Sequence, residues 1–370
     1  MRATRAVIRL DHLKWNLDRI RASIGPRAAI CLAVKADAYG HGIVPIGLSA
    51  AGFGVDYLAV ASVDEGLDLR EAGSELPILL YSLATPEEMP DAVAADLTPM
   101  LSDAEQIDAY AAEAARQGTR LTVHLKIDTG MGRIGCRPAD AAGLARRVAA
   151  APALVLGGVS THFASADAAD EAYTKRQIQT FDDALDQIRA AGIDPGVVHA
   201  ANSGGVIGHA ESWYDMVRPG IVAYGSYPSD EQARALELRP VMELRSRVVY
   251  IKRVERGEAV SYGMTWRAPR RTWIATIPVG YGDGYNRLLS NRGRVLIGGE
   301  SYPIAGRVCM DQIMVDLGPE CRVQRYDEAV LFGYTPGAPS AEELARLCET
   351  IPYEVMCSIT KRVPRVYEGV

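Results

Sequence analysis

The sequence predicts a (β/α)8 barrel followed by a mostly-β domain. Three observations predict it. Up to about residue 230, short apolar runs alternate with amphipathic helical patterns. There are eight such runs, and unbroken apolar strands parted by helices imply a parallel sheet covered on both faces. Beyond about residue 235, short strands are separated by turns rich in glycine, proline and charge.

The expected barrel strands are Ile30–Val34, Tyr57–Ala61, Ile78–Tyr81, Leu97–Leu101, Leu121–Ile127, Leu154–Ser160, Val197–Ala200 and Ile221–Tyr224. Ser62-x-x-Glu65 and Ser102-x-x-Glu105 read as capping boxes that start helices. Gly73 and Gly118 stand where helices end. A doubly wound open sheet is the rival arrangement. In the second domain, strands are expected at Arg245–Val254, Trp273–Val279, Arg294–Ile297, Ser301–Val308, Ile313–Leu317 and Glu328–Phe332. One helix follows the capping box Ser340-x-x-Glu343. Met1–Leu10 reads as an edge strand, expected to pair with the second domain. The domains are expected to span 1–232 and 233–370.

The chain has 370 residues, a 48% apolar share and a net charge of −6, without a long basic run. That suits two packed cores and argues against nucleic acid as a partner. No apolar run is long enough for a membrane span, and the N-terminus lacks a signal-peptide core. Six scattered cysteines form no CxxC pair and no metal-spaced cluster, so free thiols, no bound metal and a cytoplasmic setting are expected.

Candidate chemistry falls where barrel strands should end. Lys35 closes the first strand, where a buried amine with lowered pKa becomes a nucleophile fit for a Schiff base. Lys126-Ile-Asp-Thr-Gly-Met-Gly-Arg133 closes the fifth, and His162 follows the sixth. Asn202-Ser203-Gly204-Gly205 follows the seventh and reads as a helix start or as a nest for phosphate. Met216-Val-Arg218-Pro-Gly220-Ile221 enters the eighth. The β domain adds Ser261–Trp266, Pro278–Arg287 and Gly306–Gln312, three tyrosine- or methionine-bearing glycine segments that suggest one shared surface. Gly280-Tyr-Gly-Asp-Gly-Tyr285 lacks the spacing and context of a nucleotide loop.

In order along the chain, Val34–Gly42, Lys126–Gly135, Val217–Tyr224, Ser261–Trp266, Tyr281–Tyr285 and Arg307–Gln312 resemble the alanine racemase family, from about Ile8 to Tyr367. The resemblance implies pyridoxal 5'-phosphate carried on Lys35. Tyr39, Ser203, Gly220, Ile221 and Tyr353 would hold its phosphate. Arg218 would face the pyridine nitrogen, and His162 would lie beside the ring. Arg133 would reach the phenolic oxygen and the substrate carboxylate. Lys126 would be carbamylated to brace Arg133, with pairing to Asp128 as the plainer alternative. Tyr262 would be the second base, and Met310 would offer its N–H to the substrate. Tyr281, Asp311 and Tyr353 would narrow the entrance. The resemblance further implies a homodimer with shared sites, interconverting L- and D-alanine and supplying D-alanine for peptidoglycan. Only the tail Cys357-Ser-Ile-Thr-Lys-Arg362-Val-Pro-Arg365 departs slightly from the family pattern.

Three rivals are weighed. A decarboxylase of this architecture would carry a carboxylate in place of Arg218. A pyridoxal-phosphate carrier without turnover would lack the β domain. A racemase of wider amino-acid range differs in substrate rather than mechanism.

Overall fold

The computed structural model describes residues 2–232 and 235–369. The expected boundary at 232/233 therefore falls at the edge of the described residues. The chain opens with strand β1 (Arg5–Arg9). The barrel follows as β2 (Ala29–Ala33), β3 (Tyr57–Val60), β4 (Ile78–Leu80), β5 (Leu97–Leu101), β6 (Leu121–Lys126), β7 (Leu154–Ser160), β8 (Val197–His199) and β9 (Met216–Val217). It is closed in sequence order, and β9 returns to β2 in parallel through Ala29↔Met216 and Ile30↔Val217.

The eighth barrel strand is a correction. It lies at Met216–Val217, not at Ile221–Tyr224. Pro219 cannot donate to a ladder, and the chain then coils, with Ala223 N–H bonded to Gly220 O and Tyr224 N–H to Ile221 O. Ile221, Val222, Ala223 and Tyr224 are all fully buried, so their apolar run marks a core-facing turn. A short apolar run alone does not separate the two.

The helix Ala104–Arg116 shows how the outer ring packs. It buries Ile107, Tyr110 and Ala114, the three- and four-residue spacing of one face. Its cap sits one residue later than expected: Asp103 accepts from Gln106 N–H, and Gln106 reaches back to Ser102 N–H, each at 2.9 Å. Ser62 and Ser340 cap as expected, accepting from the N–H of Glu65 and Glu343. Gly73 and Gly118 hold φ of 90° and 68°, which glycine adopts without strain.

The second domain contains β10 (Met242–Arg247), β11 (Tyr250–Val254), β12 (Ala259–Val260), β13 (Trp266–Arg267), β14 (Thr272–Ile277), β15 (Arg294–Ile297), β16 (Glu300–Pro303), β17 (Ile313–Gly318), β18 (Glu328–Phe332) and β19 (Arg365–Glu368). The expected strand Arg245–Val254 is two. Val248 N–H bonds Asp327 O while Val249 N–H bonds Thr276 O, so the chain steps from one sheet to another there. The expected Ser301–Val308 ends at Pro303, and Gly306 turns the chain at φ 88°.

The six-stranded sheet runs β16-β15-β18-β10-β1-β19. β1 joins the second domain, antiparallel to β10. It is not an edge strand, because β19 pairs parallel on its other side and takes the edge.

Candidate active site

A cavity of about 660 Å³ opens where the barrel strands end. Every strand contributes to its wall. Lys35 follows β2, Ala61 follows β3 and Tyr81 follows β4. Met100 lies in β5, and Lys126 ends β6. His162 follows β7, Asn202 and Ser203 follow β8, and Arg218 and Gly220 follow β9. Parallel closure forces this, since all the carboxyl ends point one way. Tyr353 and Cys357, on the helix Pro352–Cys357 of the second domain, close one side.

Lys35 is aimed by an unusual turn. Ala36, Asp37, Ala38 and Tyr39 hold φ of 53°, 54°, 52° and 55°, one turn of left-handed helix. Each residue with a Cβ costs roughly 1–2 kcal/mol there. The surroundings hold it. Glu65 accepts from Ala36 N–H at 2.6 Å and from Ala61 N–H at 2.7 Å. Asp37 caps Ile43 N–H at 2.8 Å. Arg365 donates to Gly40 O and Tyr367 to His41 O, each at 3.0 Å.

Positive charge crowds the cavity. Lys35, Lys126, Arg133 and Arg218 all line it. None forms an ion pair with a carboxylate among the described residues. Burial, then Arg133, lowers the pKa of Lys35. Burial, then Arg218 and Arg133, holds Lys126 well below the usual amine range. Asp128 is not hydrogen-bonded to Lys126. Its carboxylate accepts from the N–H groups of Gly130 and Gly132 at 2.9 and 3.0 Å. Arg218 is buried and donates to His199 Nδ1 at 2.8 Å, Thr161 O at 2.7 Å and Ala200 O at 2.8 Å. His162 Nδ1 lies 3.3 Å from the same guanidinium. Burial and Lys126 keep that ring neutral, its pKa well below the usual imidazole range. Uncompensated buried cations are costly, so the cavity suits an anionic ligand.

Hydroxyl and backbone groups gather at the other end. Ser203 Oγ accepts from Gly220 N–H at 3.0 Å. A Cβ on Gly220 would come within 2.5 Å of Tyr39 Oη, so only glycine lets the tyrosine in. The Tyr39 ring stands 5.0 Å from that of Tyr224 and 5.9 Å from that of Tyr353. Burial pushes the phenols of Tyr39 and Tyr353 above their ordinary range, which leaves them neutral hydrogen-bonding groups. Ile221 lies buried behind this wall.

The remaining candidates lie elsewhere. Tyr262, Tyr281, Met310 and Asp311 do not line the cavity. They belong to the β domain and are exposed, Tyr262 by 71%. Tyr281–Asp283 forms a single 3-10 turn, unlike a nucleotide loop.

Sequence reasoning passed over Ala61, Tyr81, Met100 and Asp167, which line the cavity. The first three were accessible through the rule that selected Lys35, since each stands at or next to a strand end. Asp167 sits in a loop and gave no such signal. Cys357, first residue of the divergent tail, also lines the cavity.

Known proteins share both halves. A family model described as "Alanine racemase, N-terminal domain" matches residues 8–228, and "Alanine racemase, C-terminal domain" matches 241–367. An alanine racemase of Treponema denticola is 47% identical, with 99% of this chain and 98% of that protein covered. One from Desulfovibrio desulfuricans is 43% identical, with 98% and 97% covered. The solved alanine racemase of Clostridium difficile superposes with a TM-score of 0.95 at 38% identity, covering 100% of this chain and 96% of that one. The activity common to these relatives is racemisation of alanine. With both domains matched in order and nearly end to end, the chain belongs to the alanine racemase family.

Proposed function

We propose that the chain interconverts L- and D-alanine with bound pyridoxal phosphate, using one proton-handling group on each face of Cα. The observation that carries this is the cavity itself. A lysine of lowered pKa meets three further cations at one end of a barrel, facing a cluster of hydroxyls and a backbone N–H. That set fits a phosphorylated aldehyde. Lys35 would hold the carbonyl carbon, and Tyr39, Ser203, Gly220, Ile221 and Tyr353 would hold the phosphate. When bound, the cofactor supplies an electron sink that acidifies the Cα–H bond of the attached amino acid.

The chain supplies the rest. Lys35 Nζ takes or returns the proton on one face. Tyr262 Oη, from a second copy, does so on the other. Its exposure, with that of Met264, Tyr281 and Met310 in the same domain, supports a surface that meets another subunit. Met310 N–H and Arg133 would orient the substrate carboxylate, and Tyr281, Asp311 and Tyr353 would narrow the approach. Arg218 would donate toward the ring nitrogen but keep its proton, because a guanidinium does not titrate in this range. His162 stays neutral beside it.

Lys126 completes the charge pattern. Its neutral amine adds carbon dioxide, forming an N–C bond and releasing a proton. The resulting carbamate would set a negative group near Arg133 and Arg218, whose charges a neutral amine leaves uncompensated. Six free cysteines support a reducing, cytoplasmic setting. We assign residues 1–232 to the barrel unit and 233–370 to the β unit, with β1 serving the second. D-alanine for cell-wall peptidoglycan is the proposed use.

The test is direct. Purified chain is incubated with L-alanine, and D-alanine and visible absorbance are followed. Yellow protein that produces D-alanine is expected. Colourless protein that takes up no B6 vitamer and leaves chirality unchanged overturns the reading. Bound 13C-bicarbonate appearing as a carbamate resonance, and absent from Lys126→Ala, checks the modification.

A further inference from the structure

Beneath the cavity, two imidazoles stand in line behind Arg218. His124 on β6 and His199 on β8 are 2% and 0% exposed. His199 Nδ1 lies 2.8 Å from Arg218 Nη1, and His199 Nε2 lies 2.9 Å from His124 Nδ1. A guanidinium has no acceptor, so Arg218 donates to His199 Nδ1. His199 must then carry its proton on Nε2 and donate to His124 Nδ1. That leaves the proton of His124 on its own Nε2. One donor-only group sets both tautomers in turn.

The backbone is shaped around this line. The β6–β7 ladder slips between Val123 and His124. Opposite the ring, β7 carries Gly157 and Gly158. A Cβ on Gly158 would lie 2.7 Å from His124 Cε1 and 2.8 Å from its Nδ1. Another residue at position 158 would displace the imidazole. The charged and titratable groups facing the rings are Arg218, Lys126 and the rings themselves. Among the described residues, no aspartate or glutamate acts on either ring. Burial and the Arg218 guanidinium keep both imidazoles neutral.

We propose that His124 is a positioning residue: through His199 it fixes the donor direction of Arg218 and leaves that end of the cavity without a transferable proton. Its effect on catalysis rests on the role given to Arg218 above; the tautomers do not. The site is thus built to hold a donor that cannot let go. A buried carboxylic acid or a charged imidazole there could pass a proton to the ring and strengthen the electron sink, which favours misplaced protonation.

The chain has six histidines, few enough for selective labelling. In 15N-histidine NMR of the unaltered protein, His124 and His199 should both show a bare Nδ1 and a protonated Nε2 from about pH 5.5 to about 9. A charged ring near neutrality, or an Nδ1–H tautomer on His199, overturns the proposal. Two variants then separate positioning from packing. His124→Phe keeps the ring volume but cannot accept. His124→Asn loses volume but places an oxygen near the position of Nδ1. A packing role makes Asn the worse variant. The proposal makes Phe the worse one, with loss of cofactor absorbance through transamination rising roughly tenfold per racemisation turnover and falling back in Asn. Phe equal to or better than Asn, in a chain that racemises alanine, sinks this proposal alone. Unaltered chain that binds no cofactor sinks the functional reading instead, before any variant is made.

Discussion

The barrel cavity and the exposed face of the β domain carry chemistry in opposite ways. In the cavity, Lys35, Lys126, His162 and Arg218 are burdened by desolvation, and the first three also by neighbouring cationic side chains, and their pKa values move accordingly. On the β face, Tyr262, Tyr281 and Met310 are exposed to solvent. A cavity is finished by its own fold. On the function proposed above, an exposed phenol is finished by a second copy and supplies the half of the reaction that the cavity lacks.

The sharpest way to break that contrast is to remove one handler from each side. Lys35→Ala should lower racemisation by more than about 10⁴-fold and abolish the visible absorbance of the bound cofactor. Tyr262→Phe should lower racemisation by roughly 10²–10⁴-fold and leave that absorbance intact. Mixing the two inactive variants under conditions that exchange subunits should restore activity, because half the sites of each mixed dimer regain both groups. No recovery, in mixtures shown to contain mixed dimers, would mean that each chain supplies its own pair.

Arg218→Glu tests the cavity alone. Racemisation should fall, and the fraction of turnovers lost to transamination should rise by roughly tenfold or more, read as decay of cofactor absorbance per D-alanine formed. An unchanged fraction contradicts the weak-sink role of the guanidinium.

Acid should act on the barrel before the β face. Burial lowers His41 to about 4 and His124 to about 3, from 6.5. Below pH 6.5 the unfolded chain therefore binds protons that the folded chain refuses. Stability is complete above that value and falls as pH drops toward 4, by on the order of 1–2 kcal/mol per ring by pH 5. Urea midpoints measured from pH 7 to pH 5 check this, and His124→Phe should flatten the slope. The smallest effect lies on the outer ring. Asp103→Ala removes a helix cap and should cost about 1 kcal/mol, with turnover unchanged.

The same contrast explains what was legible in the sequence. Lys35, Lys126 and His162 announced themselves because each follows or ends an apolar strand in a parallel barrel, whereas Arg218 was read as entering the eighth strand and in fact follows it. The β-face residues had no such frame: their glycine-rich segments suggested a shared surface, and their individual roles came through resemblance alone. Ile221–Tyr224 misled because a buried turn and a buried strand look alike as four apolar letters. His124 was invisible for another reason. It lies within a strand, and only the bulge and the glycines of β7, brought beside it by folding, make room for its ring.

The left-handed turn behind Lys35 has a consequence for how the protein is made. Two of its clasps, Arg365 and Tyr367, stand 325 and 326 residues beyond the carbonyls they hold. A nascent chain can close its barrel on the ribosome and still lack the grip that aims the lysine. Translation order would then act as a safety catch, with the reactive amine armed only once this later segment docks. A chain cut after Pro364 should fold its barrel yet take up cofactor poorly, and full uptake by that truncated form would show the catch to be idle.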